Sequence, residues 1–217
     1  SSANSSGAMP VLNAIVAMQL TEFIKTIDRM TTRCMKKEVA ILEVLRDYVK
    51  ASKAIRFEGN GYSDEWVEEA EKRGLNNIKK TPRALDVYVS EETIDLFEKL
   101  DIFSGKELHA RHEIRLEQYV NKVGIEARVL SDMARTQVLP AAIAYQKQIA
   151  DTIESMEDID LPKELYSVHL DLVRELAEQI TELHKHEVKL GQELKAADKK
   201  EDVREQAIHY SEGVIGE

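Results

Sequence analysis

A predominantly α-helical chain is predicted from three observations. Aromatic residues make up only 6% of the 217 residues, and nine glycines and four prolines are too few turn formers for a β-sandwich or barrel. Apolar residues recur at steps of three and four over long stretches. Helix-start signals recur as well, the clearest being Ser104-Gly105-Lys106-Glu107.

Pro10 stands in the first turn of a helix in which Val11, Ile15, Met18, Phe23, Ile27 and Met30 return close to the helical period. Val39, Leu42, Leu45 and Val49 continue the pattern, so one long helix, or two in tandem with a slight break near Thr31 and Thr32, is expected from Pro10 to Ser52. Lys53 to Phe57 lead into a glycine and aromatic island. There Gly59 and Gly61 bracket Asn60 in a turn that tolerates positive φ, and Ser63 caps a helix from Asp64 to Arg73. Asp64 and Glu65 sit at the positive end of its dipole, Tyr62 and Val67 pair across the cap, and Gly74 supplies a left-handed stop. Trp66, the sole tryptophan, anchors this helix against a neighbour.

Thr81-Pro82 offers a cap with proline at the first helical position, and Ser90 caps a short helix reaching Leu100. From the Ser104/Glu107 capping box, Leu116, Val120, Val123, Ala127, Leu130, Ala134 and Val138 hold an apolar seam on one side of a helix, with a kink expected at Pro140 and helix resuming to Met156. Glu107 to Leu139 alone spans about 50 Å at 1.5 Å per residue. Glu154 to Asp160 contains a turn, and Pro162 opens the next helix. Val173, Leu176, Ile180, Leu183, Glu187, Leu190 and Leu194 give it a matching seam, broken only by Glu187. Two such seams make an antiparallel hairpin. Asp198 to Glu201 is a charged break, Val203 to Tyr210 a weak last helix, and the terminal GVIGE a frayed end.

Charged residues at 32% and a formal net charge of −10 describe an acidic surface that repels nucleic acid. The short run Lys79, Lys80 and Arg83 reads as a solvated face. Cys34, the only cysteine, excludes an intrachain disulfide, fits a reducing cytosol, and reads as a packing residue within a helical pattern. No apolar run approaches the roughly 20 residues of a membrane span, and no signal-peptide pattern occurs, so a soluble, intracellular protein is expected.

Candidate chemistry is thin. His109 and His112, with Glu113 beside them, are spaced three apart, whereas the usual zinc helix sets two histidines four apart around a glutamate. No histidine has a glutamate three residues before it, as a di-iron bundle requires. His184 and His186 point about 200° apart on a helix. Glu113 and Glu117 form a solvent ladder with Arg111 and Arg115. The Gly59-Asn60-Gly61 triplet lacks the spacing and the Lys-Ser or Lys-Thr ending of a phosphate loop. No catalytic, cofactor-binding or metal-binding residue is therefore assigned.

The island IRFEGNGYSDEWVEEAEKRGL, the opening SSANSSGAMPVLNAIVAMQL and the later stretch ALDVYVSEETIDLFEKLDIFSGKELHARHEIRLEQYV, in this order, closely resemble the C-terminal part of the large type III glutamine synthetases. Ser1 to Leu20 is similar to the segment that leaves the last substrate-binding arginine strand through an Ala-Asn turn, here Ala3-Asn4, and enters a core helix. The resemblance implies that residues 1–119 are the helical end of a synthetase catalytic domain and residues 120–217 the type III helical extension, a long hairpin with a frayed tail. It further implies a parent that joins ammonia to glutamate through a γ-glutamyl phosphate, using ATP and Mg or Mn, in a cytoplasmic homo-oligomer of stacked rings. The family's metal-binding carboxylates, phosphate-clamping arginines and nucleotide contacts lie upstream of its Ala-Asn turn, so the resemblance carries no cofactor to this chain. On this reading its partner is the upstream catalytic portion of the same enzyme, and a start at Ser1 without methionine fits an excised or processed piece. Helices that would lie against a missing sheet are expected to leave an apolar face uncovered. The alternative is a free-standing helical interaction module that binds a protein partner through the hairpin.

Overall fold

Helix ends, more than helix interiors, set where this chain turns. The computed structural model describes residues 8–216, and every regular element among them is helical. The mainly α expectation is therefore correct, while the Ala3-Asn4 turn lies outside the described residues. The chain divides into two units, Ser1–His112 and Glu113–Glu217.

The first unit holds helices α1 (Ala8–Thr32), α2 (Lys37–Ala51), α3 (Asp64–Lys72), α4 (Thr81–Leu85), α5 (Glu91–Lys99) and the start of α6 (Gly105–Met133). The expected break after Thr32 is real, and Cys34 makes it. At φ 67° it occupies the left-handed position of a terminating turn, in which the Met35 amide reaches back to the Met30 carbonyl at 3.3 Å. Cys34 is consequently exposed, which corrects its reading as a packing residue. The same terminator closes α3 at Gly74 and α5 at Asp101, the amides of Leu75 and Ile102 reaching Ala70 and Phe97 at 2.9 and 3.0 Å.

Ser63 caps α3 as expected, accepting from the Trp66 amide at 3.3 Å. Two other island expectations fail. Tyr62 is 100% exposed and forms no staple with Val67. Neither Gly59 nor Gly61 takes positive φ; the turn is instead bridged by the Asn60 side chain, whose Oδ1 accepts from the Tyr62 amide at 3.1 Å. Gly59 has a different purpose, because a Cβ there would lie 2.7 Å from Phe57 Cζ, in the space used by the ring that stacks on Trp66 at 4.1 Å. Thr81 is not a cap either, since α4 starts one residue earlier than expected, after Lys80, with Pro82 inside its first turn. Ser90 caps α5, and the Ser104/Glu107 box forms in both directions: the Ser104 amide donates to Glu107 Oε2 at 2.8 Å and the Glu107 amide to Ser104 Oγ at 3.4 Å. The core of this unit is Ala14, Phe97 and Leu108, surrounded by Val11, Ile94, Leu96, Leu100 and Phe103. Phe23 meets Tyr48 edge-on at 4.5 Å between α1 and α2.

In the second unit, α6 runs into a wide π turn, Ala134–Val138, and continues as α7 (Leu139–Asp158), followed by α8 (Ser167–Ala197), α9 (Val203–His209) and a second π turn, Tyr210–Val214. The kink expected at Pro140 takes the form of the wide turn before it. A proline at 140 has no amide to offer and presses its ring toward the carbonyl of residue 136, and widening the preceding turn relieves both demands. The widening adds a residue to the repeat. Buried or partly buried positions run Leu116, Val120, Val123, Ala127, Ser131 and Ala134, then step by five to Leu139 and resume at Ala142, Gln146, Ile149 and Ile153. Val138 thus lies off the seam on which a constant period had set it, and Leu130, 61% exposed, lies off it already before the turn, where Ser131 takes the inward position.

The α8 seam is as expected, every position from Val173 to Leu194 being at least partly covered. Glu187, its polar break, is matched across the hairpin, where Ser131 Oγ donates to Glu187 Oε1 at 3.0 Å. Pairings further down the hairpin join residues ever closer in sequence, from Arg128–Asp198 through Ser131–Glu187 to Tyr166–Glu157, as antiparallel rods require. Asp160, at φ 54°, ends α7. Pro162 precedes a short 3-10 turn, Lys163–Leu165, so α8 starts at Ser167, five residues later than expected.

Through Val214 the carboxyl end is packed, not frayed, while Ile215 is 59% exposed. Asp202 caps α9 by accepting from the Glu205 amide at 2.8 Å. Tyr210 is 1% exposed and joins Val123, Ala127, Leu194 and Ala197 in a core cluster that Val214 also touches. Its hydroxyl donates to Asp198 Oδ1 and accepts from Arg128 Nη2, both at 3.3 Å, while Arg128 holds Asp198 at 2.7 Å. Gly124 makes room beneath, since a Cβ there would lie 2.9 Å from Arg128 Nη1 and 3.1 Å from the Tyr210 hydroxyl.

Candidate functional site

The most pronounced functional feature of the first unit is an uncovered apolar surface. On α1, Met9, Leu12, Val16, Leu20 and Ile24 follow one another at steps of three and four and so share one face; all are at least half exposed, Leu12 at 62% and Ile24 at 60%. Val11, Ala14 and Met18 occupy the opposite face and are covered by this unit's own core. A helix apolar on both sides is one made to be buried on both sides. Completing the burial of five half-covered aliphatic side chains is worth on the order of 5 kcal/mol.

Helix α2 repeats the arrangement. Ala40 and Val44 turn inward, whereas Leu42, Leu45 and Val49, the residues that marked it as a helix, face solvent. An apolar groove of about 340 Å³ lies beside the start of α1, lined by Ala8, Val11, Leu12, Ala84, Val87, Tyr88 and Thr93. Its lining has the character of a seat for an aliphatic or aromatic side chain. Tyr62, in the island turn, is wholly exposed as well. Contiguous exposed apolar surface of this kind marks an interaction site.

The groups weighed for chemistry are not assembled for it. His109 is exposed while His112 is buried, its Nε2 standing 3.3 Å from Asp86 Oδ1, so the two imidazoles do not share an ion. His184 and His186 are both exposed. Arg111 does not join the carboxylate ladder; its guanidinium lies 4.3 Å over the Phe103 ring. Among the described residues no group of three or more His, Cys, Asp or Glu is placed to hold a metal ion. A groove lined by Lys50, Lys53, Arg56, Glu58 and Arg73 is basic for a local reason: Arg56 Nη2 donates to the Val49 carbonyl at the end of α2 at 2.9 Å, and Arg73 Nη1 donates to the Arg56 carbonyl at 2.8 Å.

Backbone and Ser104 hydrogen bonds hold the Glu107 carboxyl below its ordinary value, backbone and Ser63 hydrogen bonds do so for Glu65, and the Lys185 ammonium does so for Glu182. These are carboxylates of caps and ion pairs, displaced opposite to a general acid. Sequence reasoning missed two polar contacts, Arg128–Asp198–Tyr210 and the His209–Glu193 pair at 3.0 Å. Both depend on α9 folding back on the hairpin, for which no local signal exists. No helix among the described residues is long and apolar enough to cross a membrane.

Residues 40–157 match the family described as Glutamine synthetase C-terminal domain. Glutamine synthetase of Bacteroides fragilis (strain YCH46) is 36% identical over 217 residues, 99% of this chain and 30% of that relative. Glutamine synthetase of Butyrivibrio fibrisolvens is 32% identical over 202 residues, 92% of this chain and 29% of the relative. Type-3 glutamine synthetase of Dictyostelium discoideum is 39% identical over 146 residues, 67% of this chain and 20% of the relative. The chain thus spans about 30% of the length of the curated relatives that it matches over most of its own length.

Proposed function

Since the chain belongs to the glutamine synthetase C-terminal domain family, we propose that it is the trailing section of an ATP-dependent glutamate–ammonia ligase and serves there as structure, with no catalytic residue of its own. The observation that carries this reading is α1, apolar on both sides and covered on one. Its outer stripe, with the exposed face of α2 and the groove at Ala8, Leu12 and Tyr88, packs against the upstream catalytic portion. Residues 1–119 close the catalytic domain, and residues 120–217 form the type III extension, whose hairpin is presented for subunit contact in a cytoplasmic assembly of stacked rings.

In the parent, ATP and Mg or Mn would drive formation of the γ-glutamyl phosphate that ammonia then displaces. The side chains of this section do not fit those groups. No metal-ligating cluster forms among the described residues, and the island turn lacks the spacing of a phosphate loop. No step of the reaction is therefore assigned to them; their contribution is to cover and hold the domain that carries it.

The test is glutamine synthesis by the upstream portion with and without this chain. Activity should depend on the chain and should fall when Leu12→Glu and Val16→Glu are introduced together, because two charges on the stripe oppose its burial. Full activity of the upstream portion alone would reduce this section to an accessory and favour a free-standing interaction module.

A further inference from the structure

On the outer side of α6, away from the hairpin seam, stands a pattern that the function above does not use. Lys122, Ile125, Val129 and Asp132 follow at steps of three, four and three, and all four are exposed, Ile125 at 62%. The spacing is a palindrome centred on Ala127. The chemistry is matched about the same centre: one cation and one anion at the ends, two β-branched aliphatics between them.

We propose that this face of α6 docks on the same face of a second copy of this chain, the two helices antiparallel across a two-fold axis at the level of Ala127. This rests on the reading of the hairpin as presented for subunit contact, and it names the partner and the register. In that arrangement each Ile125 meets the second copy's Val129, so four aliphatic side chains form the centre. Each Lys122 faces the second copy's Asp132, which closes two ion pairs. An isologous contact demands a self-complementary surface of this kind. Lys122 forms no ion pair among the described residues, and Asp132 has only a loose one, 3.6 Å from Arg135 with both side chains largely in water. The opposite charges at the two ends cancel, which gives a nucleic acid or an anionic membrane nothing to read. Parallel alignment would set Lys122 against Lys122 and Asp132 against Asp132, so charge alone selects the antiparallel pair.

A single pair of helix faces buries less than the roughly 1,200 Å² of a stable interface. Association of the 217-residue chain is therefore weak and is measured by sedimentation equilibrium up to about 1 mM, where such contacts are populated. A dimer is expected, weakened at least about tenfold by Val129→Glu, since the charge loses its hydration at the centre of the contact. Lys122→Asp and Asp132→Lys should each weaken it about threefold to tenfold, and the double exchange should restore it. Leu12→Glu with Val16→Glu, on the α1 stripe, should leave this dimer intact. That separates a failure here from a failure of the catalytic-domain reading, which the glutamine assay tests. The proposal is overturned by a monomer throughout the range, by a dimer lost in the α1 variant but kept in Val129→Glu, or by a double exchange no better than either single one.

Discussion

The two units solve the same problem, how to cover an apolar helix face, in opposite ways. The second folds back twice, so that α7 and α8 cover each other and Tyr210 is drawn under Arg128 against Gly124. The first covers one side of α1 and α2 and leaves Leu12, Val16, Leu20, Leu42 and Val49 facing outward. Similar helices therefore differ in what their exposed surface means. The second unit also exposes apolar side chains, Leu130, Ile143, Leu165 and Val168 among them; what sets α1 apart is a second core face of five such residues at consecutive steps of three and four.

The contrast is broken most severely at the two anchors. Phe97→Ala in the first unit and Tyr210→Ala in the second should each cost about 3–5 kcal/mol, both side chains being almost wholly buried. Hydrogen exchange should show each loss confined to the unit substituted. Uniform loss across the chain from either variant would mean the units are one cooperative body. A smaller effect is expected from Gly124→Ala: displacing the Arg128 guanidinium or the Tyr210 hydroxyl costs about 1–3 kcal/mol, helix propensity returns about 1 kcal/mol, and a net loss of up to about 2 kcal/mol should appear in denaturant unfolding of the second unit.

Cys34→Gly should move in the other direction. The substitution removes a left-handed strain of about 1 kcal/mol and should raise the stability of the first unit in the same assay. Asp101→Gly and Asp160→Gly should gain less, because aspartate tolerates that conformation better. The mildest distinction is alkaline. Burial, seconded by the Asp198 carboxylate, pushes the Tyr210 phenol above its ordinary value. A group whose titration is raised on folding stabilises fully below its unfolded value, here about 10, and loses that contribution as pH rises through the folded one. The second unit should therefore weaken above about pH 10, and Tyr210→Phe should flatten that slope in a pH series of thermal melts.

Most local punctuation was legible in the residues themselves. Ser63, Ser90 and the Ser104/Glu107 box cap where their side chains predict, because a cap is decided within four residues. Gly74 stops α3 for the same reason. The hairpin was legible too, down to Glu187 as its polar interruption. What escaped depends on distant partners or on a changed period. Tyr210 is held by residues more than eighty positions away, so a tail that looks loose locally is fastened. Val138 falls off the seam because a constant step does not survive a turn that adds one residue, and Leu130 because Ser131, not its apolar neighbour, takes the seam position opposite Glu187. Cys34 reads as core because its neighbours are helical, whereas it is the residue that ends the helix. The uncovered stripe was foreseen in kind from the resemblance, but its occurrence on both α1 and α2 required the packing of Ala14, Ala40 and Val44 to be seen.

The five-residue step at Ala134–Val138 has a mechanical corollary. Two uniform rods with a seven-residue rhythm offer a ladder of equivalent alignments and creep along it under load. Here a single irregular notch on one rod, together with Ser131 keyed to Glu187, leaves only one alignment commensurate. Pulled along its axis, the hairpin has no neighbouring resting place to slip into, and it should yield in one rupture.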